Sequence, residues 1–262
     1  MTSVKKIYFV SDAHLGALWI RDSHEQEQTL VRWLESIRAD ASEIFLMGDM
    51  FDFWFEYKTV VQKGYVRLLG KLAEITDAGI PVYFFRGNHD IWAFDYLETE
   101  TGMKLFRKPT IEVLKGKRFY LAHGDGLGKG DNGHNFIKKI FESRFIQWWY
   151  HWIHPDIGNR LAWFWSGKNR CSSNQKNIKH LAKEGISIDK ANVKNRLANY
   201  CKEILKTEEV DYFVFGHYHQ PIEYELTPES KLYTVGDWMD YFSYGVFDGE
   251  KFELKRFINT KT

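Results

Sequence analysis

The segment EIFLMGDMFD at residues 43–52 decides the fold. Its first half is an apolar run typical of a buried strand, and its second half changes at once to glycine and carboxylates. Two other segments have the same design, KIYFVSDAH at residues 6–14 and VYFFRGNHD at residues 82–90. Each is a short apolar run that ends in Asp, His or Asn. We therefore expect three similar strands with polar ends.

Helical patterns separate these strands. Residues 24–38 carry apolar side chains at helical spacing, and residues 61–78 do the same before a candidate C-cap at Gly79 and a stop at Pro81. Strands that alternate with helices predict right-handed βαβ units and a parallel sheet. The polar ends then share the carboxyl edge of the sheet, where open α/β sheets bind ligands.

The second half of the chain has a different pattern. Residues 110–122 read as a hairpin, and two helical regions follow at 134–166 and at 172–206, where Asp189 is a candidate N-cap. Further strands are predicted at 210–216, 231–235, 243–248 and 251–257. We predict a single α/β domain over residues 1–262 that carries a helical insertion at about 127–190.

Composition and charge exclude several classes of protein. Lys plus Arg number 36 and Asp plus Glu 35, so the net charge of +1 excludes a chain-wide field for binding polyanions. The sequence predicts no membrane-spanning helix, because no run of about 18 apolar residues occurs. It also predicts no signal peptide. With only two cysteines, Cys171 and Cys201, the sequence predicts no disulfide framework and favours a cytoplasmic location.

Five strand-like runs end in side chains that can bind metals. These ends are the segments 12–14, 48–52, 87–90, 123–125 and 216–219. One Gly-Asp after a strand is often only a turn or a helix N-cap, and one His is often an ordinary surface residue. Five together indicate a metal site. Carboxylate, imidazole and amide ligands suit Mn²⁺, Fe²⁺ or Zn²⁺, and seven such groups are too many for one tetrahedral ion. Two ions about 3.5–4 Å apart can clamp the oxygens of an in-line displacement at phosphorus.

These motifs resemble those of the calcineurin-like metallophosphoesterases. The resemblance covers Asp-x-His, Gly-Asp-x-x-Asp, Gly-Asn-His-Asp, His-Gly-Asp and Gly-His-x-His, in the family's order, between residues 12 and 219. It implies a β-sandwich flanked by helices and two divalent metal ions, with Mn²⁺ expected and Fe²⁺ or Zn²⁺ as alternatives. The implied ligands are Asp12, His14 and His219 for one ion, Asn88, His123 and His217 for the other, and Asp49 as the bridge.

The same resemblance implies roles for four further side chains. His89 would protonate the leaving oxygen or stabilise the transition state, and Asp90 would orient it. A cationic imidazole at this position would add to the stabilisation of the phosphoryl oxygens. Asp52 and Asp125 would hold the metal ligands in place.

The predicted insertion is rich in aromatic and basic residues. Between residues 136 and 166 many Phe, Trp and Ile alternate with Lys and Arg. One interpretation is a helical hairpin buried against the sheet. The other is a lid or an interfacial helix, because Trp with Lys or Arg is typical of helices at a lipid headgroup boundary. Trp-rich basic segments can also stack on nucleic-acid bases, but the near-neutral charge argues against a nucleic-acid partner.

A narrower resemblance concerns the substrate. GDMFDFW at 48–54, HGDGL at 123–127 and Gly-Asp at 130–131 are similar to segments of the UDP-2,3-diacylglucosamine pyrophosphatases of lipid A synthesis. The best-known branch of that family has Arg at the position of His89. The resemblance implies hydrolysis of a lipid-linked nucleotide sugar to UMP and 2,3-diacylglucosamine 1-phosphate. It also implies a peripheral enzyme on the cytoplasmic face of the inner membrane, with no obligate protein partner.

The candidate substrate-binding residues come from these segments and from the insertion. They are Trp54, Asp131, Trp148, Trp152, Lys168 and Arg170. The alternative function is a metallophosphoesterase that acts on a soluble phosphoester, a nucleotide or a nucleic acid. The Trp-rich insertion favours the lipid substrate, because two acyl chains need an apolar groove beside the site that binds phosphate.

Overall fold

Two β-sheets packed face to face form the centre of the protein. The computed structural model describes residues 4–20, 22–127, 138–162 and 187–258. The side chains between the sheets are mostly aromatic, and the rings of Phe9 and Phe119, from opposite sheets, stack at 5.8 Å. Helices cover the outer face of each sheet. The sandwich flanked by helices that the sequence predicts is therefore confirmed.

The first sheet contains the βαβ units of the N-terminal half. Its strands are β1 (Lys6–Val10), β2 (Ala41–Leu46), β3 (Val82–Phe85), β4 (Lys104–Phe106), β10 (Ser243–Phe247) and β11 (Phe252–Arg256). They lie in the order β11-β10-β1-β2-β3-β4. Strands β1 to β3 are parallel, as predicted, β4 pairs in parallel with β3, and β10 and β11 extend the sheet in the antiparallel sense. Sequence patterns missed β4 because it has only three residues.

The second sheet contains the predicted hairpin. Its strands are β5 (Thr110–Leu114), β6 (Lys117–Ala122), β7 (Tyr212–Phe215), β8 (Pro221–Glu225) and β9 (Lys231–Val235). They lie in the order β5-β6-β7-β9-β8, and β6, β7 and β9 are parallel. Strand β8 was not predicted. It is an edge strand that begins with a proline, which is one of the few strand positions where proline is tolerated.

Helices on the first sheet are α1 (Ser23–Ile37), α2 (Val66–Asp77) and α3 (Tyr96–Thr101). Helix α1 begins after Asp22, whose side chain accepts a hydrogen bond from the Glu25 amide at 2.9 Å. Helix α2 begins later than the predicted residue 61 and has no side-chain cap of its own. Instead, Glu27 of α1 accepts the amides of Arg67 and Leu68 at 3.0 and 3.1 Å. The two helices are thereby joined where α2 begins.

Helix α5 (Ser187–Ile204) covers the second sheet, and α4 (Arg144–Tyr150) lies in the predicted insertion. Asp189 lies inside α5 and is not its N-cap, so that prediction is wrong. The predicted helix at 134–166 is interrupted, since its described part consists of helical residues 138–142, α4 and helical residues 155–162. Proline is tolerated in the first turn of a helix, so Pro155 marks where the last segment begins.

The insertion has an inner and an outer side. On the inner side Phe141, Ile146 and Ile153 pack against a cluster that contains Phe55, Ile91, Trp92 and Tyr150. Several large apolar side chains remain exposed on the outer side: Phe145, Trp148, Trp149, Trp152, Ile157 and Leu161. We call these six residues the aromatic surface. Part of the aromatic content is therefore buried, as the first interpretation predicts, and the interfacial interpretation stays a prediction.

The bounds of the insertion remain a prediction, because residues 128–137 and 163–186 lie outside the described residues. Among the helices that the structure describes, none is both long enough and apolar enough to span a bilayer.

Candidate metal centre

The five predicted strand ends meet at one edge of the sandwich. Backbone hydrogen bonds join the loops within each sheet: the Asp12 amide donates to Gly48 at 3.0 Å, and the Gly216 amide donates to His123 at 2.8 Å. The sheets are joined where the His217 amide donates to Asp12 Oδ2 at 2.8 Å. The site is thus built across both sheets, at the carboxyl ends of parallel strands.

Three groups of side chains have ligand atoms within 4.8 Å of one another. They are Asp12, His14 and His219; Asp49, His123 and His217; and His14, Asp49 and His89. The carboxylate Oδ2 of Asp49 lies 3.2 Å from His123 Nε2 and 3.8 Å from His14 Nε2. Asp49 therefore lies between His14 and His123, which belong to different predicted ligand sets. A ligand shared by two ions needs such a position.

Strained backbone accompanies these side chains. Within the described part of the chain, eight non-glycine residues have a positive φ, and five of them are predicted ligands: Asp12, His14, Asp49, His217 and His219. Such conformations cost of the order of 1–3 kcal/mol each and persist where the surroundings enforce them, often at functional sites. Gly87 is required for lack of space, because a Cβ there would collide with the Asp49 carboxylate.

Several buried polar atoms at this edge have no hydrogen-bond partner in the described part of the chain. They include Asp12 Oδ1, His14 Nε2, Asn88 Oδ1 and His123 Nε2. Buried polar atoms are nearly always paired, so a convergent set of orphans needs an explanation. The set of carboxylate, imidazole and amide donors fits divalent cations, and the residues present therefore fit a metal centre.

Three of the site imidazoles have an oxygen beside Nδ1. His123 Nδ1 contacts the Met47 carbonyl at 2.8 Å, His89 Nδ1 contacts the Asp52 carbonyl at 2.7 Å, and His14 Nδ1 lies 3.5 Å from Asp52 Oδ1. These contacts turn Nε2 of His14 and His123 toward Asp49. Oxygen partners of this kind set the tautomer and ring orientation of metal-binding histidines.

The electrostatics of the site are strongly coupled. Burial lowers the pKa of His14, but the adjacent carboxylates of Asp12, Asp52 and Asp49 outweigh this effect and raise it to about 9. His123 is raised to a pKa of about 10, because the Asp49 carboxylate likewise outweighs burial. Burial and the nearby His123 lower the pKa of His217 to about 3. Without metal, His14 and His123 would thus carry protons beside the carboxylates, and metal binding would release these protons.

Asp90 contacts backbone amides and not the His89 ring that it was predicted to orient. Its carboxylate accepts the amides of Gly87 at 2.6 Å and Met50 at 2.9 Å, so it holds two site loops together. Burial and the charge of Asp49 raise its pKa to about 7. The oxygen beside the His89 ring belongs to Asp52 instead. We therefore revise the prediction that Asp90 orients His89.

Of the predicted substrate-binding residues, the structure describes Trp54, Trp148 and Trp152. Trp54 is fully buried and its indole donates to Glu56 at 2.9 Å, so it belongs to the core and we no longer place it against substrate. Trp148 and Trp152 are 57% and 76% exposed on the aromatic surface. Asp131, Lys168 and Arg170 lie outside the described residues. Asp125 Oδ2 forms an ion pair with Lys138 Nζ at 2.7 Å. This pair joins the insertion to the loop of His123.

One site residue was missed. Asp237 is buried after β9, and its Oδ2 lies 3.5 Å from His219 Nδ1. The signal was present, because Gly236-Asp237 follows the strand at 231–235 in the same way that Gly48-Asp49 follows β2. The Gly-Asp-x-x-Asp spacing of residues 48–52 recurs at residues 236–240, but no histidine accompanies it there.

Comparison with known proteins identifies the family. The family model described as calcineurin-like phosphoesterase matches residues 5–221, a span that includes all five strand ends. The chain belongs to the calcineurin-like phosphoesterase family. The predicted family and the predicted class of enzyme, a metal-dependent phosphoester hydrolase, are confirmed by this match.

Individual relatives match over nearly the whole chain. A UDP-2,3-diacylglucosamine hydrolase of Porphyromonas gingivalis is 38% identical over 253 residues, which are 95% of this chain and 97% of that protein. A UDP-2,3-diacylglucosamine hydrolase of Histophilus somni is 23% identical over 238 residues, covering 90% and 93%. Among solved structures, the E. coli phosphoesterase Yfce aligns with a TM-score of 0.44 at 14% identity, covering 96% of this chain and 92% of that one.

Proposed function

We propose that this calcineurin-like phosphoesterase hydrolyses the pyrophosphate of UDP-2,3-diacylglucosamine. The products are UMP and 2,3-diacylglucosamine 1-phosphate, an intermediate of lipid A synthesis. The observation that carries the proposal is the 38% identity to a hydrolase named for this substrate, over 95% of the chain. Because the match extends beyond the metal-site motifs, it includes the insertion that would contact the acyl chains.

The proposed metal centre uses the seven predicted ligands. Asp12, His14 and His219 would hold one ion, and Asn88, His123 and His217 would hold the other. Asp49 would contact both, as its position between the groups suggests. Two divalent ions, which we propose are Mn²⁺, would supply an activated water and neutralise charge on the phosphoryl oxygens.

His89 would complete the reaction. Its Nδ1 is held by the Asp52 carbonyl, so Nε2 is the nitrogen available to the substrate. In its cationic form, the ring would stabilise the phosphoryl oxygens and pass the Nε2 proton to the leaving phosphate oxygen. A new bond from water oxygen to phosphorus forms as the bridging P–O bond breaks. The phosphate that leaves is thereby protonated.

The aromatic surface would bind the lipid part of the substrate at a membrane. Phe145 and Trp148 have ring centroids 6.1 Å apart, and those of Trp148 and Trp152 are 6.3 Å apart, so they form one exposed stripe. The neighbouring Lys139 and Arg144 are exposed. Exposed Trp beside cations suits an anionic lipid surface, and each acyl methylene buried would contribute about 0.8 kcal/mol. We propose peripheral binding at the cytoplasmic face of the inner membrane.

A direct assay tests the proposed function. Purified protein with Mn²⁺ should release UMP from UDP-2,3-diacylglucosamine in mixed micelles, and Asp49→Ala should abolish the release. Asp240→Asn, an exposed carboxylate outside the proposed ligand set, is the matched control and should retain activity. Brisk hydrolysis of a soluble diester without any UMP release would instead support the alternative of a soluble substrate.

A further inference from the structure

Asp237 lies in the loop between β9 and β10 with its side chain buried. Its Oδ1 accepts the backbone amides of Met239, Asp240 and Tyr241 at 3.3, 3.0 and 3.0 Å. Its Oδ2 points the other way and lies 3.5 Å from His219 Nδ1. The residue is 1% exposed. One carboxylate oxygen therefore fixes the loop while the other faces an imidazole of the proposed metal centre.

The loop that contains Asp237 is also hydrogen-bonded to the segment that follows β1. The Trp238 amide donates to the Asp12 carbonyl at 3.1 Å. The side chain of Gln26 then donates to the carbonyls of Ala13 and Trp238, at 2.5 and 3.0 Å. Because Asp12 is itself a proposed ligand, the position of Asp237 is set relative to the site by backbone contacts. Its carboxylate cannot shift without moving this loop.

We propose that Asp237 is a positioning residue for His219. His219 Nε2 faces Asp12 Oδ1 at 3.7 Å, so Nε2 is the atom directed to the cluster. A carboxylate can only accept, and Asp237 therefore selects the tautomer with the proton on Nδ1 and the lone pair on Nε2. This inference rests on the proposed metal centre, in which His219 needs that lone pair.

The substitution Asp237→Asn separates this role from the loop contacts. The amide oxygen can still accept the three backbone amides, but the amide nitrogen then faces His219 Nδ1. A donor at that position selects the opposite tautomer, with the proton on Nε2 where the metal would bind. Loss of such a partner typically weakens metal affinity 10–100-fold. We expect this loss for one of two Mn²⁺ ions and little change for the other.

The experiment is a Mn²⁺ titration of the metal-free full-length protein, followed by electron paramagnetic resonance. Asp240→Asn, in the same loop but exposed, is the control and should titrate like the wild type. In a His219→Ala background, Asp237→Asn should weaken binding no further. A stability role alone predicts the same additional loss in both backgrounds, and that result would overturn the inference.

A second measurement does not need the metal. Long-range ¹H–¹⁵N spectra of the metal-free protein, at a pH where the ring is neutral, report the tautomer of His219. The wild type should carry the proton on Nδ1 and Asp237→Asn on Nε2, and an unchanged tautomer would overturn the inference. A wild type with the expected tautomer that binds no divalent ion would contradict the proposed function instead.

Discussion

The indole Nε1 of Trp92 donates a hydrogen bond of 2.7 Å to the backbone carbonyl of Phe141. Trp92 follows His89 by three residues, and Phe141 lies in the insertion. The ring of Trp92 is buried against Phe55 and Tyr150, with centroids 5.1 and 4.7 Å away. The loop of the proposed proton donor and the base of the insertion are thereby one packed unit.

Replacing Trp92 by Phe should loosen the insertion while keeping most of this packing. The lost hydrogen bond is worth about 1 kcal/mol, so we expect about fivefold faster amide hydrogen exchange in residues 138–150. KM for the lipid substrate should rise by a similar factor, with hydrolysis of a small chromogenic phosphoester unchanged. Trp33→Phe is a control, because the Trp33 indole nitrogen is buried without a partner among the described residues.

Two glycines should respond oppositely to alanine. A Cβ at Gly87 meets the Asp49 carboxylate and the Asp49 amide, so Gly87→Ala should displace a proposed ligand and abolish activity and tight metal binding. A Cβ at Gly70, in the middle of α2, meets nothing within 4 Å. Gly70→Ala should raise the free energy of unfolding by about 0.5–1 kcal/mol. Denaturant titration and activity together check the pair, and normal activity in Gly87→Ala would contradict the site geometry.

The aromatic surface should control membrane binding but not the chemistry. Trp148→Glu combined with Trp152→Glu places charges where the proposal needs apolar contact. Binding to anionic vesicles should fall about tenfold or more, because each buried aromatic contributes about 1.5–3 kcal/mol. Val113→Glu, at an exposed apolar position on β5, is the matched control in the vesicle sedimentation assay. Equal loss on a small soluble phosphoester would show that the two Trp residues stabilise the fold.

Glu56 should be a strong determinant of stability. Its buried carboxylate accepts the Trp54 indole and the backbone amides of Phe94, Asp95 and Tyr96, at 2.8 to 3.1 Å. Glu56→Ala leaves these buried donors unpaired and should lower the free energy of unfolding by about 2–4 kcal/mol. Glu56→Gln should cost less, since it keeps an acceptor.

Chemical denaturation measures these losses. Glu100, an exposed carboxylate on α3, provides the control, and Glu100→Ala should change stability by less than about 0.5 kcal/mol. An equal effect of the Glu56 and Glu100 substitutions would contradict the role of the buried acceptor.

Divalent ions should stabilise the folded protein. A ligand at 100 times its Kd adds about 2.7 kcal/mol per site, and each kcal/mol raises Tm by about 2–4 °C for a chain of this size. We therefore expect saturating Mn²⁺ to raise Tm by several degrees over protein treated with chelator. Asp49→Ala should abolish most of the rise, and differential scanning calorimetry measures both. A wild-type Tm that is indifferent to Mn²⁺ would count against the metal centre.

The sequence by itself determined the parallel strands of the first sheet and the chemistry at their ends. Short apolar runs such as residues 43–47 form strands that are stabilised by burial of their side chains. The polar residues that follow them then lie at the edge of the sheet. The motif order also identified the family that the match over residues 5–221 confirms. These features are local in sequence or combine short motifs, and that is why they can be predicted.

Contacts between distant segments required the tertiary structure. Asp237 faces His219 only because β9 lies beside β7, and Asp52 rather than Asp90 lies beside the His89 ring only because the loops after β2 and β3 adjoin. Trp54 is in the core, whereas Trp148 is exposed, although both are tryptophans in aromatic segments. Side-chain direction depends on which elements pack together, and residue type alone does not encode it.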